Sequence, residues 1–137
     1  MKKVCWFLAL CGLCLTGCSV SQPSIVGKWV EKESYPGTYT FEFRPDSTCS
    51  YSYSGESMTF LYDGTFKFED QKLTIIQTDA KVKWKDPAKF YKPIEDATRS
   101  VNGQIWMDGT VMFDGVDRLT YESRSNIGKM NLQRVIK

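Results

Sequence analysis

The chain has 137 residues, with 18 Lys and Arg against 16 Asp and Glu, and it contains no histidine. This length suffices for one domain with one hydrophobic core, and the small net charge argues against a nucleic-acid binder, which needs a basic face. The lack of histidine removes the commonest general base and metal ligand.

The N-terminal segment has the features of a secretion signal. Lys2 and Lys3 precede an apolar run over residues 4–15. A membrane-spanning helix needs about 20 apolar residues, so this run instead has the length of a signal-peptide core. The run ends in LTGC at residues 15–18. This order of charge, apolar core and small residues before Cys18 resembles the lipobox of bacterial lipoproteins, in which the cysteine is acylated and becomes the new N-terminus.

The resemblance implies three parts: a signal peptide at residues 1–17, a lipidated anchor and linker at 18–24, and a domain at 25–137. Cys18 would carry the lipid, with palmitate as a typical acyl group. Ser19 follows it, and within that family a residue other than aspartate here implies the outer membrane. We therefore expect an envelope protein anchored in the outer membrane by its lipid and facing the periplasm or the cell surface.

This assignment leaves one cysteine in the domain. Cys5, Cys11 and Cys14 would leave with the signal and Cys18 would be acylated, so Cys49 has no partner for an internal disulfide. It lies in a strand-like context, and we expect a small buried residue rather than a nucleophile.

From Ile25 onward, apolar and aromatic residues alternate with polar ones, which is typical of half-buried β-strands. The pattern over Pro93–Val101 is instead compatible with one or two helical turns. The strand candidates lie around residues 25–29, 39–43, 49–53, 58–62, 66–68, 73–75, 82–84, 103–107, 110–114, 119–123 and 129–135, and some of them are expected to join into single bent strands.

Turn signals separate these segments. Residues 44–47 (RPDS) form a predicted turn, because Pro presets φ and Asp bonds its own backbone. A weak repeat relates residues 63–74 to residues 108–120, each interpreted as turn, strand, turn, strand and each beginning with Asp-Gly, a common hairpin turn. Successive hairpins predict an all-β antiparallel meander, and closing it into a barrel of about eight strands removes exposed edges.

The first and last strands carry a further signature. Gly27-Lys28-Trp29 opens the first predicted strand, and Arg134 lies in the last. This pattern, with the phrases FRPDST at 43–48 and FDGVDRLT at 113–120, resembles small bacterial lipocalin-like (calycin) lipoproteins. The resemblance implies that Trp29 closes the bottom of the barrel with Arg134 packed upon it, which would be a favourable cation–π contact.

Catalytic motifs are lacking in the sequence. It has neither a Gly-x-Ser-x-Gly elbow nor a glycine-rich phosphate loop, and its Asp-Gly pairs lack the spacing of a calcium loop. We therefore expect a protein that is not an enzyme and that needs no metal and no cofactor. Lys81, Lys83 and Lys85 form a row that is either a solvated outer face or a basic patch for lipid headgroups or an acidic partner.

Two functions remain open. By the family resemblance, the barrel binds a small hydrophobic molecule in or at its mouth, with aromatic walls. Alternatively, a solid core supports loops that contact other envelope proteins, as an inhibitor or accessory module. The segment Asp86–Asn102 would serve as a lid in the first case and as a docking loop in the second. We expect a monomer, and the candidate lining residues are Tyr51, Tyr53, Tyr62, Trp84 and Phe90.

Overall fold

The protein folds into a closed, eight-stranded antiparallel β-barrel. The computed structural model describes residues 23–31, 36–56, 58–84, 103–124 and 128–136. The strands are β1 (Gly27–Glu31), β2 (Thr38–Phe43), β3 (Thr48–Ser54), β4 (Met58–Glu69), β5 (Lys72–Trp84), β6 (Ile105–Asp114), β7 (Arg118–Ser123) and β8 (Lys129–Arg134).

The strands follow one another around the barrel in chain order. Each pairs with its neighbour in sequence, and β1 closes the sheet against β8 through the pairs Trp29 with Arg134 and Glu31 with Leu132. The predicted all-β meander and its closure into a barrel are confirmed. The described segments contain no helix, and thus none long and apolar enough to cross a membrane. The segment Pro93–Val101 lies outside the described residues.

Several predicted strands are parts of longer ones. The candidates at 58–62 and 66–68 belong to β4, those at 73–75 and 82–84 to β5, and those at 103–107 and 110–114 to β6. The register between β4 and β5 shifts at Asp63/Gly64, where Asp63 faces Asp79 but Gly64 faces Gln77. Such a bulge bends a strand without ending it, which explains why one strand gave two periodic segments.

The expectation of turns at Asp63-Gly64 and Asp108-Gly109 is wrong, because both pairs lie inside strands. These glycines are instead sites where a neighbour approaches closely. A Cβ on Gly64 would collide with the carbonyl oxygen of Ile76, and one on Gly109 would lie 2.6 Å from the ring of Tyr121. Glycine in a strand interior often marks such an approach. The predicted turn at 44–47 and those closing the two repeat hairpins, at 70–71 and 115–117, are confirmed.

The two ends of the barrel differ. We call the end with the turns at 44–47, 70–71 and 115–117 the closed end. The mouth is the opposite end, where β3 leads into β4 at Gly55 and Glu56. The core between them consists of inward-facing residues, namely Ile25, Trp29, Phe41, Phe43, Cys49, Tyr51, Leu73, Ile75, Met107, Val111, Leu119, Tyr121, Met130 and Leu132.

Candidate functional site: the closed end and the mouth

Arg134 and Trp29 come together at the closed end. The Arg134 guanidinium carbon lies 4.2 Å from the centroid of the indole, within the range of a cation–π contact. The indole is fully buried, and its Nε1 donates a hydrogen bond to the carbonyl of Ile25 at 2.7 Å. The indole N–H is therefore satisfied in the core, and the arginine covers one face of the ring.

The guanidinium of Arg134 also donates hydrogen bonds to backbone carbonyls of two other segments. Its Nη1 donates to Val26 at 2.7 Å and its Nη2 to Ser24 at 2.6 Å, while Nε donates to Val116 at 2.9 Å. Arg134 thereby fastens the chain ahead of β1 and the β6–β7 turn to the last strand. Hydrogen bonds from a charged donor are among the stronger ones in proteins.

The middle of the barrel is filled by stacked rings. Inward residues Phe41, Tyr51 and Tyr62 face one another across β2, β3 and β4. The ring of Trp106 on β6 lies on Tyr51 with centroids 3.9 Å apart and planes 16° apart, and it contacts Phe41 at 6.0 Å. A molecule that entered from the mouth would thus meet Trp106 and Tyr51 as a floor.

One buried polar pair supports this floor. Gln77 on β5 is 3% exposed, and its Nε2 donates to the hydroxyl of Tyr51. Burial raises the pKa of Tyr51, although the hydrogen bond from Gln77 acts in the opposite direction. The phenol is therefore neutral at physiological pH and serves as an acceptor inside the core.

Above the floor, the mouth is lined by a second aromatic layer. Tyr39, Tyr53 and Phe60 face one another on β2, β3 and β4, and all three are half-buried. The centroids of Tyr39 and Tyr53 are 4.8 Å apart. Tyr53 also packs on the backbones of Gly37 and Gly55, where an added Cβ would lie 2.5 Å and 3.3 Å from its ring. The layer thus offers ring faces and phenol edges rather than a closed apolar wall.

Burial keeps the phenols of Tyr39 and Tyr62 in their uncharged form. Desolvation raises the pKa of Tyr39, with the neighbouring Tyr53, Glu31 and Tyr62 adding to the rise. Desolvation also raises the pKa of Tyr62. Both phenols remain protonated at physiological pH and can donate a hydrogen bond to a polar edge of a bound molecule.

The predicted lining residues are distributed over both layers. Tyr51 is 2% exposed and forms part of the floor, and the half-buried Tyr62 is paired with it at the same level. The half-buried Tyr53 lies nearer the mouth. Trp84 is the last residue of β5, with its backbone opposite Met58, but its side chain lies outside the described part, as do Phe90 and Cys18 entirely. Trp106 and Gln77 are not among the lining residues predicted from the sequence.

A groove lies along the outer wall of the barrel, and its lining also includes Phe41, Tyr51 and Tyr62 of the middle layer. Its volume is about 530 Å³, and its lining includes Lys28, Glu42, Ser50, Asp63 and Lys81. Ser50 accepts a hydrogen bond from Arg44 at 2.6 Å and donates one to Asp63 at 2.8 Å. Lys81 pairs with Asp79 at 3.3 Å. Lys81 and Lys83, the two described residues of the lysine row, are therefore part of a solvated face of mixed charge.

The sequence matches neither a model of a known protein family nor a curated protein. Within the described ranges, the structure brings together no group of three or more residues among Cys, Asp and Glu that could hold a metal ion.

Proposed function

We propose that this protein is a lipoprotein, anchored in the membrane through Cys18, whose lipocalin-like barrel binds a small hydrophobic molecule at its mouth without catalysing a reaction. The supporting observation is the half-buried layer of Tyr39, Tyr53 and Phe60 above the floor of Tyr51 and Trp106. Binding pockets for small molecules are mostly apolar and aromatic, with few polar groups.

The packing of the middle layer argues for binding at the mouth rather than deep in the barrel. Interiors of eight-stranded barrels are just wide enough to be filled by side chains or to hold one small ligand. Here the stack of Trp106 on Tyr51 occupies the bore, so a ligand would have to bind above it. A flat ring system with one polar edge fits this surface, because it can stack on the rings and accept a hydrogen bond from a phenol.

Native mass spectrometry of the full-length protein, extracted gently from the membranes of its host, tests this function. We expect a discrete extra mass that is lost on denaturation and an acyl increment that remains on the chain. The Cys18→Ser form should lack the acyl increment but keep the non-covalent mass, because its barrel is unchanged.

Two matched substitutions on β4 locate the ligand. Phe60 and Phe68 are both half-buried and inward, but Phe60 lies at the mouth and Phe68 at the closed end, where it packs edge-on against Phe113. Phe60→Ala should strongly reduce the bound fraction and Phe68→Ala should not. If the parent carries no extra mass, the carrier function is overturned, and a role in protein contacts through the loops becomes the better proposal.

A further inference from the structure

We propose that the closed end of the barrel rests on the bilayer, with Val116, Val135 and Ile136 in contact with the lipid interface and the mouth directed away from it. This inference deepens the proposed function and depends on acylation of Cys18. It assigns a membrane-contact surface to the described domain and fixes which end of the barrel is accessible to a ligand.

The three apolar residues surround the point where the anchor segment joins the domain. Arg134 binds the carbonyls of Ser24 and Val116 with its side chain, and its backbone N–H donates to Asp117 at 2.7 Å. The next residue, Val135, donates its backbone N–H to Lys28 at 2.8 Å. The β6–β7 turn, the end of β8 and the chain leading from Cys18 therefore meet around one side chain.

These side chains are unusually exposed for apolar residues at one site. Val116 is 61% exposed, Val135 46% and Ile136 71%. Single exposed apolar residues are normal, but a group of them marks a contact surface. The other large exposed apolar residues of the described segments, Ile76, Ile105 and Met112, lie on strands of the barrel wall.

The length of chain between the lipid and the barrel determines the orientation. From Cys18 to Ser24 a fully extended chain spans about 20 Å. The twelve residues of β4, tilted as in other eight-stranded barrels, separate the mouth from the closed end by about 30 Å. The anchor segment is therefore too short to bring the mouth to the bilayer. The closed end, by contrast, lies directly beside the point where the anchor segment joins the domain.

The charges of the closed end indicate which lipid chemistry is recognised. Both acidic and basic side chains lie near it, namely Asp46, Glu69, Asp70, Asp114 and Asp117 with Arg44, Lys67, Lys72, Arg118 and Arg134. A surface that bound anionic headgroups would carry an excess of Lys and Arg. The contact should therefore be apolar and should form on a zwitterionic bilayer.

Site-specific labelling tests this orientation. The acylated full-length protein is reconstituted in phosphatidylcholine vesicles with an environment-sensitive fluorophore on Val116→Cys or, as a matched control, on Ile105→Cys, which is 65% exposed on β6. Cys49 is buried and burial raises its thiol pKa to about 11, so it does not compete for the label at neutral pH. Quenchers attached to shallow acyl-chain positions report proximity to the lipid.

We expect several-fold stronger quenching and a blue-shifted emission at position 116, with little change at 105. An intact-mass measurement of the same sample separates the possible failures. If Cys18 carries its lipid and both labels remain in water, or if label 105 is the quenched one, the orientation is overturned while the anchor stands. A chain without acyl groups overturns both. Quenching at 116 that requires anionic lipid would refute the apolar basis of the contact.

Discussion

The guanidinium of Arg134 lies over the indole of Trp29 at 4.2 Å while it also binds the carbonyls of Ser24, Val26 and Val116. A single side chain thus joins β8 to the first strand, to the segment ahead of it and to the β6–β7 turn. This junction completes the barrel at its closed end. Because it joins residues that are far apart in the sequence, substitutions in it test whether the barrel closes as described.

Arg134→Lys should destabilise the protein by about 2 kcal/mol, because lysine keeps the charge but lacks the planar donor fork that serves three carbonyls and the ring at once. Urea unfolding measures the free energy of unfolding. Arg118→Lys is the matched control, since Arg118 forms one exposed ion pair with Asp114 at 3.0 Å and should cost less than about 0.5 kcal/mol. Equal losses in the two variants would refute the special role of Arg134.

Gly27→Ala tests the same junction from the other side. Gly27 has φ +135°, and an added Cβ would lie 2.5 Å from Nη1 of Arg134. Gly128→Ala is the control, because Gly128 also has a positive φ, +81°, but an added Cβ has no heavy atom within 4 Å. Positive φ costs an L-residue about 1–2 kcal/mol. The loss in the free energy of unfolding, measured with urea, should therefore be larger for Gly27→Ala than for Gly128→Ala by at least about 1 kcal/mol, because the first substitution also displaces Arg134.

The strands could be predicted from the sequence because alternation records which face is buried. Phe41 and Phe43 on β2, and Cys49 and Tyr51 on β3, are buried as their spacing predicts. The turns that close the two repeat hairpins, at residues 70–71 and 115–117, also lie where the repeat predicts them. The resemblance of the first and last strands predicts that Trp29 and Arg134 meet, and the structure brings both together with Gly27.

The floor of the mouth could not be predicted, because β-bulges change the alternation. The β5–β6 register shifts between Ile75 and Ile76, so that Ile105 faces outward while both Trp106 and Met107 contribute to the interior. Strict alternation would place Trp106 on the opposite face from Met107. In the same way, the bulge in β5 brings both Gln77 and Ala80 inside. Bulges depend on contacts between distant strands, which a single local pattern does not record.

Two residues of the β4–β5 turn have a left-handed backbone conformation that glycine adopts more easily. Asp70 and Gln71 have φ values of +50° and +64°, as in the type I′ turn that favours glycine at its second position. Gln71→Gly should therefore stabilise the protein by about 0.5–1 kcal/mol. The backbone carbonyl of Gln71 would keep its hydrogen bond from Val111. Thr74→Gly, three residues later inside β5, should instead destabilise it. Thermal unfolding measures both changes, and a loss of stability in Gln71→Gly would contradict the argument.

The stability of the protein should fall in alkaline solution. Burial raises the thiol pKa of Cys49 from 9.0 to about 11 and also raises the pKa of the phenols of Tyr39, Tyr62 and Tyr121. Above pH 9 the unfolded chain therefore loses protons that the folded chain retains, so the free energy of unfolding decreases with pH. The loss due to Cys49 should begin near pH 9 and be complete above about 11.

Cys49→Ala isolates the contribution of the thiol. The substitution lowers stability at every pH by leaving a small cavity, so the slopes are compared rather than the absolute values. Urea unfolding between pH 8 and about 11 should show a shallower decline for the variant than for the parent. Parallel declines would mean that the thiol does not contribute and that the phenols dominate.

A double-mutant cycle on Tyr51 and Gln77 tests the floor of the mouth. Tyr51→Phe removes the acceptor of the buried Gln77 amide, and an unsatisfied buried donor costs about 1–3 kcal/mol. Gln77→Met alone leaves the Tyr51 hydroxyl without this donor and should cost a similar amount. The double variant replaces both polar groups by apolar ones of similar shape, so it should be more stable than the sum of the single losses predicts, by about 1 kcal/mol or more. Additive losses in urea unfolding would show that the two side chains do not depend on each other, and the buried hydrogen bond beneath the mouth would be refuted.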